Sequence, residues 1–152
     1  MILFRRCCVL AVLMFWLGGL TFYGTVVIPV GRAMIGQPSQ SLITRQVTFV
    51  FNIAAAVLLL PLAWDQFAST LRSRGRWLVW LGFGLCIPPL HWLYLQLTAL
   101  MDGAESSFGS FQAVHRWYLW LNGLQWLLAV VYFVLLLAAW RREDREAAKS
   151  VD

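Results

Sequence analysis

Four stretches of this chain, roughly residues 8–30, 46–64, 77–101 and 112–140, carry almost no charge. Only 12% of the 152 residues are Asp, Glu, Lys or Arg, against about a quarter in an ordinary soluble domain. All seven acidic residues, Asp65, Asp102, Glu105, Glu143, Asp144, Glu146 and Asp152, fall at or beyond the ends of those stretches. Proton-coupled export usually relies on a carboxylate inside the membrane, so that reading loses weight. Cysteine is scarce too. Cys7 and Cys8 are adjacent and Cys86 stands alone. That excludes a disulfide framework and a CxxC zinc pair. There is no P-loop, HExxH, serine-hydrolase constellation or dinucleotide fingerprint. No catalytic residue is assigned, and a non-enzymatic protein is expected.

What is present is hydrocarbon. Hydrophobic residues make up 61% of the chain, and mean hydropathy is +0.70. Each uncharged run is long enough to cross a core of about 30 Å at about 1.5 Å per residue. Nine Trp suit headgroup-level anchoring. Arg5 and Arg6 ahead of an apolar run imitate a signal peptide. The run continues to Val30 without an A-x-A site, so it reads as a retained span. Pro61 is expected to bend or end the second span, and Pro88-Pro89 to kink the third. The whole chain, 1–152, forms one transmembrane domain, with a charged tail over 141–152.

The net charge of +5 does not signal nucleic acid, because the basic residues sit at span ends. Nine of the 12 Lys and Arg lie on one side, namely Arg5, Arg6, Arg72, Arg74, Arg76, Arg141, Arg142, Arg145 and Lys149. Arg32, Arg45 and Arg116 lie on the other. The positive-inside rule then puts both termini in the cytoplasm. The expected architecture is all-α: a polytopic membrane protein with four transmembrane helices in an antiparallel bundle. Its surroundings are the lipid bilayer, and a bacterial inner membrane fits the short loops.

Polar residues recur within these runs at helical spacing. In HRWYLWLNGLQW, residues 115–126, His115, Tyr118, Asn122 and Gln125 share a face with Ala129, opposite Trp120, Leu124, Leu127 and Val131. Gly18, Thr21, Thr25, Pro29 and Arg32 share one on the first span. Arg45, Thr48, Asn52 and Ala55 share one on the second, and Gly84, Pro88, His91, Thr98 and Asp102 one on the third. Turned inward, they predict a polar core opening to the outside above a dry cytoplasmic floor of Leu, Val and Ala. The candidate ligand-binding residues are Thr25, Arg32, Arg45, Asn52, His91, His115, Tyr118, Asn122 and Gln125. The competing interpretation is interhelical glue, each such bond worth about 0.6–2 kcal/mol.

Two stretches carry a resemblance. WLGGLTFYGTVVIPVG (16–31), followed by ITRQVTFVFN (43–52), is the first, and FQAVHRWYLWLNGLQW (111–126) is the second. Together they resemble the family of small four-helix membrane proteins that includes transmembrane protein 205. That family has Gly-Gly in its first span and Phe-x-x-Leu-His entering its last, with Asn seven residues on. Phe111, His115 and Asn122 match that spacing, with Val114 in place of Leu. The resemblance covers nearly the whole chain and implies a polytopic membrane protein without established chemistry. Three functions stand open. One is a non-enzymatic accessory subunit or small-ligand binder, partnered by itself or by another membrane protein, with no cofactor expected. Another is a heme-b protein ligated by His91 and His115, the only metal-ligand set in prospect. The third is a small dimeric transporter.

Overall fold

The computed structural model describes residues 2–69, 73–102 and 108–149, with only the backbone of Pro38 and Phe108. It is all-helical. Its four long helices are α1 (Ile2–Gln37), α2 (Ser39–Ala68), α3 (Arg74–Asp102) and α4 (Gly109–Lys149). By length and composition all four are able to cross a membrane.

The interruptions follow from proline and glycine. In α1, residues Tyr23–Val27 form a π-helical turn. Ile28 N–H there reaches back five residues to the Tyr23 carbonyl. Pro29 follows at once; it has no N–H, and its ring crowds the carbonyl four residues earlier. α1 stops at Gly36, whose φ of 79° is costly for a residue with a Cβ. In α3 the regular helix runs Arg74–Leu85 and resumes at Ile87–Asp102. The break is at Cys86, just ahead of Pro88-Pro89, where two successive N–H groups are missing. Pro61 does not end α2, which continues to Ala68.

Each helix packs along its neighbours in the cycle α1–α2–α3–α4–α1. The starts of α1 and α3 meet the ends of α2 and α4 at one end of the molecule, joined by Arg5, Asp65, Arg76 and Glu143. The core behind that end is apolar: Val9, Leu13, Trp16, Ala55, Leu58, Leu62, Phe83, Ala129, Tyr132 and Leu136. Trp16 and Phe83 meet edge to face at 5.2 Å. α2 is the acceptor helix. Trp16 Nε1 donates to the Phe51 carbonyl (3.3 Å), Trp80 Nε1 to Leu59 (3.1 Å) and Tyr132 Oη to Leu62 (3.2 Å). Each of these amphipathic donors buries its ring and bonds across the interface.

Candidate functional site

The polar faces of α2 and α4 lie where their phase predicts. On α4, Tyr118, Gln125, Ala129, Tyr132 and Leu136 are buried, while Trp120, Leu124, Leu127 and Val131 are exposed. On α2, Asn52, Ala55, Leu58, Leu62 and Asp65 are buried. The two faces join through Tyr118 Oη, which donates to Asn52 Oδ1 at 3.2 Å. Gln125 Nε2 donates to the Phe83 carbonyl at 3.4 Å, next to the break in α3. Asn122 is half-buried. Near the loops, Arg45 pairs with Asp102 at 2.8 Å, and Tyr23 Oη donates to Thr44 Oγ1 at 3.1 Å. Gln40 packs so tightly on Gly31 that a Cβ there would sit 1.8 Å from its amide oxygen.

Three of the expected site residues face elsewhere. Thr25 and Arg32 are exposed, as are Gly18, Thr21 and Pro29 of the same stripe. α1 buries Val9, Leu13, Trp16 and Tyr23 instead. Thr21 and Thr25 donate their hydroxyls to the carbonyls four residues back, both at 2.7 Å, so an exposed position strands neither; Thr21 Oγ1 also accepts from Trp126 Nε1 of α4 at 3.0 Å. His91 is also exposed, stacked on Tyr94 at 6.1 Å. The buried row of α3 is Arg76, Phe83, Cys86 and Leu90, one position off the row through Gly84 and His91, so Leu90 takes the inward position. His115 is half-buried and stacks on Phe111 at 5.8 Å. The expected convergence of all nine residues on one cavity does not occur. The structure joins Asn52 to Tyr118 and gives the two imidazoles separate aromatic partners. Two open grooves lie on the outer face of α4.

The expected apolar floor is present, but it is not the last layer. At the end where the termini lie, the apolar core is closed by a layer of charge drawn from all four helices. Asp65 of α2 is 0% exposed. Its carboxylate sits 3.0 Å from Arg5 Nε and 2.7 Å from an Arg76 terminal nitrogen. Trp140 Nε1 donates to it at 3.3 Å. Arg76 is 1% exposed. Its Nε and Nη1 have no acceptor among the described residues, and the guanidinium lies 6.0 Å over the Tyr132 ring. Arg5 also donates to the Ala68 carbonyl at 2.9 Å, setting a cation on the negative end of the α2 dipole. Glu143 accepts from Ser69 and from Arg6, the latter at 3.3 Å. Arg6 reaches Asp144 at 2.9 Å and lies 5.2 Å over the Trp140 ring. The hydrogen bond from Arg6 holds the Asp144 carboxyl below its usual range, and the same bond raises the Arg6 guanidinium.

A buried carboxylate between two guanidiniums is costly to assemble and more costly to break. It joins residues of α1, α2 and α3 at one level. The sequence signal was available: Asp65, one residue beyond an apolar run, faces Arg5 and Arg76 at the ends of the runs beside it. Counting those arginines only as topology signals hid the pairing.

The class these features define is a protein of four long apolar helices, pinned at one end by buried ion pairs. Comparison with protein-family models, with curated proteins and with solved structures finds no match.

Proposed function

We propose that the chain is a non-enzymatic integral membrane protein and works as an accessory subunit. Its four helices span a bacterial inner membrane as an antiparallel bundle, with both termini and the charged layer on the cytoplasmic side. The likeness to the transmembrane protein 205 family belongs to this proposal. The observation that carries it is the use made of the polar side chains. Asn52 and Tyr118 bond each other, Gln125 bonds a backbone carbonyl, and Arg45 bonds Asp102. Such bonds hold helices together in lipid. The charged layer supports the same reading, since buried ion pairs serve specificity more than stability.

The test is the state of the tagged chain in mild detergent from its native membrane. Native electrophoresis is expected to give one discrete complex larger than the chain's own oligomers, with a second membrane protein at fixed stoichiometry. Recovery only as monomer or homo-oligomer overturns the subunit reading. An absorbance spectrum of the same sample decides the heme-b alternative, for which a stoichiometric Soret band is required.

A further inference from the structure

The outer face of α4 carries two grooves that share one end. The first, about 610 Å³, is lined by Arg116, Trp117, Trp120, Leu121 and Leu124. The second, about 460 Å³, is lined by Arg116, Leu119, Trp120, Gly123, Leu124 and Leu127. Helical phase puts Trp117 and Leu121 on one side of Trp120, and Leu119 and Gly123 on the other. The grooves therefore run down the two sides of the Trp120 ring, which is 73% exposed, and Arg116 heads both. Gly123 deepens the second, since nothing lies within 4 Å of where its Cβ would be.

We propose that this surface holds one anionic diacyl phospholipid, with its phosphate on Arg116 and one acyl chain on each side of Trp120. Length supports it. The second groove runs from Arg116 to Leu127, about 16 Å along a helix, close to the ~15 Å depth of one leaflet, and the first from Arg116 to Leu124, about 12 Å. Charge supports it as well. Among the described residues Arg116 has no acidic partner, whereas Arg45 at the same end is neutralised by Asp102. A guanidinium donates two parallel hydrogen bonds to a phosphodiester. Its apolar stem lies along the groove head while the charge stays at headgroup level. The linings are otherwise hydrocarbon and indole, which suit acyl chains and nothing polar. The inference rests on the membrane reading and goes beyond it by naming a ligand.

Native mass spectrometry of the full chain, released from detergent with added dioleoyl phosphatidylglycerol or dioleoyl phosphatidylcholine, tests it. One retained phosphatidylglycerol per chain is expected, in preference to phosphatidylcholine. Arg116→Gln should weaken retention roughly fivefold, the equivalent of one basic residue at a membrane surface, and Arg116→Lys should restore part of it. Gly123→Leu fills one groove at an open position and should weaken retention with Arg116 intact. Equal phosphatidylglycerol retention by wild type, Arg116→Gln and Gly123→Leu overturns the proposal, as does equal retention of the two lipids. Recovery of the chain in the soluble fraction without detergent would instead overturn the membrane reading beneath it.

Discussion

Replacing Asp65 with Asn removes one charge and keeps the shape. In the native protein that carboxylate faces Arg5 at 3.0 Å, Arg76 at 2.7 Å and Trp140 at 3.3 Å, with no solvent access. The introduced amide retains a neutral acceptor for one of the three. Arg76 then has no ion-pair partner among the described residues, while it remains buried under Tyr132. Arg5 is better placed, because it keeps the Ala68 carbonyl and Glu143, at 2.9 and 3.8 Å. Stranding one buried charge costs about 3–5 kcal/mol, a large share of a typical total of about 5–15 kcal/mol. Helix loss on titrating denaturant into detergent-solubilised protein, followed by circular dichroism, reads this directly. The double variant Asp65→Leu with Arg76→Met removes the two most deeply buried charges together, leaves Arg5 on the Ala68 carbonyl and Glu143, and should cost less than Asp65→Asn alone. An Asp65→Asn stability within about 0.5 kcal/mol of wild type would show that Arg76 is not stranded by the loss of the carboxylate. So would a double variant as damaged as the sum of its singles.

Tyr118→Phe leaves Asn52 without its donor and should cost about 1–2 kcal/mol; the same denaturant titration checks it. His91→Leu should change stability by less than about 0.5 kcal/mol, because the ring lies on the α3 surface, and a larger loss would show that His91 has a packing role after all. Asp144 lies past the apolar run of α4, where Arg6 depresses its carboxyl. The unfolded chain therefore takes up the proton first, and the Arg6–Asp144 contribution is fully present above the ordinary value of 3.8 and lost as pH falls through the folded value. A carboxyl NMR titration of Asp144 should give a midpoint below 3.8, and Arg6→Gln should return it there.

The four helices were legible because runs of uncharged residues leave the chain few alternatives in lipid. The inward faces of α2 and α4 were legible because nothing interrupts their phase between Arg45 and Asp65 or between Tyr118 and Trp140. On α3 the count followed Gly84, Pro88 and His91, one position off the buried row of Arg76, Phe83 and Leu90, and so misplaced His91. On α1 the count followed threonines. A threonine bonded to its own helix needs no inward position, so Trp16 and Tyr23 decided the buried face. The charged layer was missed for another reason. Arginine at a span end serves equally as a topology signal and as the partner of a buried carboxylate, and composition by side does not separate the two. Only the meeting of Arg5, Asp65, Arg76 and Glu143 in space does.

In the proposed arrangement four membrane spans are tied together by one layer of charge on the side where both termini lie. Single cysteines at Gln37, the exposed last residue of α1, and at Arg145, in the exposed last turns of α4, test it in a cysteine-free background. A membrane-impermeant maleimide added to intact cells should label Gln37→Cys, and should reach Arg145→Cys only after permeabilisation. Labelling of Arg145→Cys in intact cells, or of Gln37→Cys only after permeabilisation, would contradict the account.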